Sequence, residues 1–226
     1  MKTKSKRKFI PMTSPLGTAA WAKLYEPDQF GNYSIILRAP DSALEPLRQR
    51  MQAALDESLP IISEDAVGPV EVEQNPFPIR QVLDDEGKPT GTSELRVKQA
   101  AVVKIPGRDK PLLPKVVVID CANPPNRLTC RVGNGSQVMI GMDVGSYARP
   151  STERKDAKGR TITLVGITAR LSVVRVVSLV QEGENDPSRY AFGAVEDGYV
   201  YEDNTETAEP AESGEGATNE TAGADY

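Results

Sequence analysis

Leu95, Val97, Gln99 and Ala101 alternate with Arg96, Lys98 and Ala100. A period of two belongs to a strand with two unlike faces. Residues 94–105 are therefore predicted as a strand with Arg96 and Lys98 on one face and Lys104 continuing in register. Nearer the start, residues 16–24 are small residues around Trp21, and residues 33–39 are a β-branched, apolar run. Between them lies Pro27-Asp-Gln-Phe-Gly-Asn, so the two runs are predicted as a hairpin. After Pro40 the period lengthens to about 3.6. Leu44, Leu47, Met51, Ala54, Leu55 and Leu59 then share one face of a helix. Asp41 or Ser42 is its expected N-cap and Pro60 its expected end. Such a helix would plug a sheet or a barrel end.

Residues 61–91 lose any period and are rich in proline, with Asn75-Pro-Phe-Pro-Ile-Arg at the centre and a tip turn at Asp84-Asp-Glu-Gly-Lys-Pro. Phe77 is a core plug or an exposed stacking group, the plug being the commoner fate of a lone loop aromatic. Residues 115–121 read as a buried strand, Gly133-Asn-Gly-Ser as a tight turn, and residues 137–147 as a strand. In that strand Gly141 and Gly145 mark bulges or close backbone approach. Residues 149–160 form a polar loop that concentrates Arg149, Arg154, Lys155, Lys158 and Arg160. Residues 161–180 form a long β-branched strand with a bend at Gly166, of a length that suits curvature around a barrel. The body is thus mostly β, a single domain with one helix.

Charge divides the chain in two. Residues 182–226 carry 13 acids and one base, Arg189. From Thr205 onward that stretch has no aliphatic larger than Ala, and it ends on Asp225 and Tyr226. It cannot bury enough apolar area to offset the entropy of ordering, which predicts a disordered tail. Of the chain's 27 bases and 32 acids, the remainder keeps 26 and 19, a net charge of +7. Lys2, Lys4, Lys6, Arg7 and Lys8 form a basic arm ahead of it. A basic body with an acidic tail points to a protein that binds a polyanion and carries its own competitor.

The chemistry narrows further. The chain has no His, and its two cysteines, Cys121 and Cys130, match no zinc spacing, so both are expected as reduced, partly buried thiols and no metal or cofactor is expected. There is no phosphate loop, dinucleotide fingerprint or nucleophile elbow. Asp120 and Asp143 read as turn or capping groups. An enzyme, such as a nuclease or an annealing-linked recombinase, would need a metal site that nothing here supplies. No apolar run is long enough to cross a membrane. The basic start lacks the apolar core of a signal peptide, so an intracellular protein is expected. What remains is a β body with bases on strands and loops, and with Trp21, Tyr25, Phe30, Tyr33, Phe77 and Tyr147 among them. Single-stranded nucleic acid needs that combination, because phosphates attract Lys and Arg while unpaired bases stack on aromatic faces. The alternative is a β-rich structural or protein-interaction module with a solubilising tail.

Residues 13–28, Thr13-Ser-Pro-Leu-Gly-Thr-Ala-Ala-Trp-Ala-Lys-Leu-Tyr-Glu-Pro-Asp, are followed by a hairpin strand and a helix. Together they resemble the start of the tailed-phage single-stranded DNA-binding proteins. The resemblance resumes at Val116-Val-Val-Ile-Asp, Gly133-Asn-Gly-Ser-Gln-Val, Val144-Gly-Ser-Tyr and Leu164-Val-Gly-Ile-Thr-Ala-Arg-Leu, and ends on the acidic tail closing with Asp225-Tyr226. It implies an OB-fold, the five-stranded Greek-key barrel, over residues 11–181, between an arm at 1–10 and the tail at 182–226. It also implies a non-catalytic protein of phage DNA replication and recombination that coats single-stranded DNA in the cytoplasm of an infected bacterial host. The tail would recruit the phage DNA polymerase and helicase/primase, and a homodimer is implied because several members dimerise. Tyr147 falls where the family has an aromatic used against DNA, and Trp21 matches a family aromatic near the first strand. Lys98, Lys104 and Arg149 join them on strand register and charge. Phe77 and Arg80, from the middle segment that the resemblance does not reach, complete the candidate set.

Overall fold

The computed structural model describes residues 9–66, 68–105 and 107–180. These lie within one unit, Met1–Asn185. The arm's Lys2 to Lys8 and the whole acidic tail, with Asp225 and Tyr226, fall outside the described residues.

Five strands close a circuit. β2 (Gly17–Lys23) pairs with β3 (Asn32–Pro40), β3 with β6 (Pro89–Ala100), β6 with β9 (Thr161–Ser178), β9 with β8 (Gln137–Lys155), and β8 with β2. All of these pairs are antiparallel except β6–β9, which is parallel. Numbered along the chain, the five run 1-2-3-5-4-1, which is the OB-fold barrel. Three short strands attach to it: β1 (Ile10–Thr13) to β8, β4 (Val70–Val72) and β7 (Val117–Ile119) each parallel to β9. β5 (Ile79–Leu83) pairs with β6 in a hairpin whose tip is the expected Asp84 turn, where Asp84 Oδ1 accepts from the N–H of Glu86 and of Lys88.

The circuit has two short junctions: β2 and β8 pair at two register positions, and β6 and β9 meet at one, Lys98 with Arg170. The proline-rich segment fills the rest of the β6–β9 seam. Pro78 C=O accepts from Arg96 N–H at 2.9 Å, and Pro76 C=O accepts from Ile167 N–H at 2.6 Å. Proline has no N–H to leave orphaned, so it suits a segment that only has to accept. The expectation of an irregular stretch over 61–91 is therefore corrected. It contains the end of the helix, β4, β5 and the start of β6, with its irregular part confined to the seam. Phe77 lies between the two prolines, partly buried against the core.

The helix α1 (Asp41–Asp65) sends Leu44, Leu47, Met51, Ala54 and Leu55 into the core, as the period predicts, and packs on β3, β6, β8 and β9. Two of its boundaries differ from expectation. Asp41 does not cap it; the carboxylate accepts from Ser93 Oγ at 2.6 Å and ties the helix start to β6. Pro60 does not end it, because the chain two residues on buries Ile62 in the core and offsets the lost backbone bond.

Other sequence expectations shift in length. β6 ends at Ala100, so Lys104 is not in register with Lys98. β8 runs on through Pro150 to Lys155, so the expected loop over 149–160 is mostly strand, with its turn at residues 156–160. Ile10 already pairs with Val144, inside the stretch assigned to the arm. Asp120 is the expected turn group, accepting from Ala122 N–H and Asn126 N–H. Asp143 lies within β8, away from its ends, and accepts from Ser172 Oγ. Both thiols are free; Cys130 is partly buried but Cys121 is exposed, contrary to expectation. No helix among the described residues is long and apolar enough to cross a membrane.

Leu55 is fully buried where α1 meets the barrel. Leu55→Ala should lower the unfolding free energy by about 2–5 kcal/mol in urea titration. A loss below about 1 kcal/mol would mean that the helix does not share the barrel's core.

Candidate nucleic-acid interface

The open seam between β6 and β9 is the floor of a cleft of about 490 Å³. Ser34 and Ile36 of β3, Arg96 and Lys98 of β6, and Thr168 of β9 supply its floor, with Trp21 and Tyr147 among its walls. Register explains the selection. Ser34 pairs with Lys98, Ile36 with Arg96 and Arg38 with Glu94, so alternate residues of both strands face outward together.

Trp21 is held in an unusual way. It sits at the irregularity in the β2–β3 ladder with φ of 52°, the one non-glycine with positive φ among the described residues. A bulky residue in that region costs on the order of 1–3 kcal/mol. The backbone is fixed there by Asn134, whose Oδ1 accepts from Trp21 N–H at 2.7 Å. Asn134 belongs to the expected Gly133–Ser136 turn, where Ser136 N–H donates to Gly133 C=O. The indole itself is 67% exposed, so little burial repays the strain.

Tyr147 is held from below and from one side. Its cross-strand partner is Gly166, and a Cβ there would lie 2.6 Å from Tyr147 Oη and 2.7 Å from Cζ. Gly166 thus makes room for the ring, where a bend was expected. The hydroxyl donates to Glu73; burial first, and that bond second, push the phenol up to about 12. Arg149 Nε donates to the same carboxylate at 2.7 Å. Burial pulls Glu73 up, but the Arg149 and Tyr147 hydrogen bonds outweigh it and leave the carboxyl below its ordinary range. Arg154 pairs likewise with Glu71 at 2.7 Å, so β4 and the residue after it neutralise two arginines of the β8–β9 hairpin.

A second carboxylate organises the other end. The Glu94 side chain is 11% exposed and accepts from Nε and Nη2 of two guanidiniums, Arg38 on Oε1 and Arg96 on Oε2, with the shortest contacts at 2.8 Å. Burial would raise its carboxyl, but the hydrogen bonds from Arg96 and Arg38 and their charges hold it low. The pair is thereby fanned over the outer face, with Arg80 of β5 in register across from Glu94.

Of the candidate residues, the cleft brings together Trp21, Lys98 and Tyr147. Arg149 is beside it but ion-paired. Arg80 is exposed on the same outer face, and Phe77 is turned to the core. Lys104 lies beyond the end of β6. Sequence reasoning left out Arg38, Glu94 and Asn134; nothing local marks them, because each acts through a partner distant in sequence. Among the described residues no group of His, Cys, Asp or Glu could hold a metal.

The depressed carboxyl of Glu94 predicts a pH effect. Its folded-state pKa lies below the unfolded value, so its contribution is complete above about pH 4.5 and disappears as pH falls through the folded value. Glu94→Gln should cost about 1–2 kcal/mol at pH 7, moderated by the half-exposed arginines. It should also flatten the acid limb of the stability curve, measured by urea midpoint between pH 7 and pH 3. An unchanged acid limb would assign the acid sensitivity elsewhere.

No family model matches the chain, and no curated protein sequence matches it. Solved structures do. The single-stranded DNA binding protein gp2.5 of bacteriophage T7 superposes with a TM-score of 0.51 at 20% identity, over 86% of this chain and 100% of that one. The single-stranded DNA-binding protein of bacteriophage Enc34 gives 0.44 at 14% identity over 81% and 98%, and its complex with single-stranded DNA gives 0.42 at 14% over 80% and 96%. The described body of this chain therefore has the fold of the bacteriophage T7 single-stranded DNA binding protein, an OB-fold barrel carrying one helix.

Proposed function

We propose that the chain is a non-catalytic, sequence-independent single-stranded DNA-binding protein. The observation that carries this is Trp21, an exposed indole kept in a strained backbone conformation at the edge of a basic cleft, with Tyr147 also lining that cleft. A protein keeps such strain where the side chain has work outside the core. The cleft lies on the second and third barrel strands, the face that OB-folds use for oligonucleotides. The bacteriophage T7 protein of the same fold is a single-stranded DNA binding protein, which supports the same reading. Bases would stack on Trp21 and Tyr147 while Lys98, Arg96 and Arg38 meet phosphates. Arg149 joins them where DNA competes with Glu73, and Arg80 extends the track along β5. Lys104 and Phe77 are left with secondary parts.

The finer reading rests on charge and on the family resemblance. Residues 182–226 compete with DNA for the basic face, and DNA releases Asp225 and Tyr226 to a replication partner, the phage polymerase or helicase/primase. The protein acts in replication and recombination in the cytoplasm of an infected bacterial host, as a homodimer.

The test titrates labelled oligothymidine into the full chain and into one ending at Gln181. If about five phosphates are neutralised, log affinity should fall with log salt at a slope near −3.5. The shortened chain should bind more tightly. Absence of binding in both chains at low salt would leave the β-rich interaction module as the reading. Trp21→Gly supplies the opposite-sign check. Relief of strain should keep stability equal or raise it by up to about 1 kcal/mol. Affinity should fall about tenfold, within the range of one lost stacking contact. A variant that loses stability instead would make Trp21 a packing residue.

A further inference from the structure

Phe9 stands just ahead of β1, and its ring lies on Gly145 of β8. A Cβ at Gly145 would be 2.7 Å from Phe9 Cε1 and 2.8 Å from Cδ1. The Arg170 guanidinium carbon is 3.9 Å from the centre of the same ring. Gly145 pairs with Thr168, and Arg170 with Lys98 across the seam. Thr168 and Lys98 both line the cleft. Phe9 and Arg170 therefore occupy the cleft's own face, one step past Thr168. Tyr147 and Gly145 are two residues apart on β8, about 7 Å. Two rings thus stand in succession on that face, each over a glycine, Tyr147 on Gly166 and Phe9 on Gly145.

The strand repeat between positions 145 and 147 is about twice the rise of a nucleotide in duplex DNA, roughly 3.4 Å. It suits successive bases of an extended, unstacked strand. A guanidinium laid on an aromatic ring keeps one planar face for a base and its N–H edge for a phosphate. Arg170 is exposed, and among the described residues it is in no ion pair. Asp143, its cross-strand partner, accepts from Ser172 Oγ at 2.8 Å.

We propose that Phe9 and Arg170 form a second nucleotide station of the cleft, in which Arg170 stacks on the base beyond Tyr147 and takes up a phosphate, and Phe9 is the positioning residue that holds the guanidinium flat. The proposal rests on the single-stranded DNA reading above.

The experiment measures affinity and salt slope of the full chain for labelled oligothymidine, with thermal melting of every variant. Arg170→Ala should weaken binding about tenfold and make the slope shallower by about 0.7, one single-strand phosphate. Arg170→Lys keeps the charge and should restore the slope but not the affinity. Phe9→Leu keeps an apolar side chain on Gly145 and should weaken binding several-fold at unchanged slope and melting temperature. Parent-like affinity in Arg170→Ala, or parent-like behaviour of Arg170→Lys and Phe9→Leu together, would overturn the station while leaving the cleft reading intact. Failure of the parent chain to bind would instead remove the reading beneath it. Should Arg170→Ala melt early, Arg170→Lys and Phe9→Leu decide.

Discussion

The barrel is shortest of strand-to-strand hydrogen bonds at the parallel seam between β6 and β9, where the two strands pair only through Lys98 and Arg170. Buried backbone groups must find partners. The chain meets that demand with a proline-rich segment, Pro76 and Pro78 accepting from Ile167 and Arg96. The seam is thus sealed without two neighbouring strands being drawn fully together, and the outer face keeps a cleft along it. Residues from all five barrel strands reach this cleft: β6 and β9 border the seam, β3 and β8 adjoin them, and β2 brings Trp21 to the edge.

Two carboxylates then set the electrostatics of that face. Glu94 splays Arg38 and Arg96, and Glu73 fixes Arg149 and the Tyr147 hydroxyl. Each is low in exposure and strongly hydrogen-bonded, so each stays ionised and acts as a rigid anchor. A basic surface built this way presents cations in defined positions, at the cost of cancelling part of their charge. The aromatic side of the face follows a parallel logic. Gly145 and Gly166 leave room for rings to lie on the sheet, and Asn134 holds Trp21 in a conformation that its own side chain disfavours.

Much of this was legible in advance. The alternation through Leu95 and Val97 placed Arg96 and Lys98 on one face, and the helical period from Leu44 to Leu55 identified the buried stripe. Gly141 and Gly145 were expected to mark a bulge or a close approach, and the structure has a register shift at Gly141 and a ring packed on Gly145. The failures were local rules overruled by packing. Pro60 did not stop α1 because Ile62 had a core site to reach, and Asp41 did not cap because Ser93 was within reach. Lys104 lost its register because the turn at Ala101, whose N–H donates to Gly31 C=O, ends β6 first.

By itself the sequence determined the mostly β class, the hairpins, the helix and the segregation of charge, because periodicity, turn residues and composition act over a few neighbouring positions. It placed Trp21 and Tyr147 on strands but could not say that both would line one cleft. That required barrel closure, which brings β2, β3, β6, β8 and β9 together over separations of more than a hundred residues. The pairing of Trp21 with Asn134, of Arg38 with Glu94, and of Phe9 with Gly145 and Arg170 came only from tertiary structure. Each joins groups whose meeting depends on strand order and register, and neither is encoded in any short window of the chain.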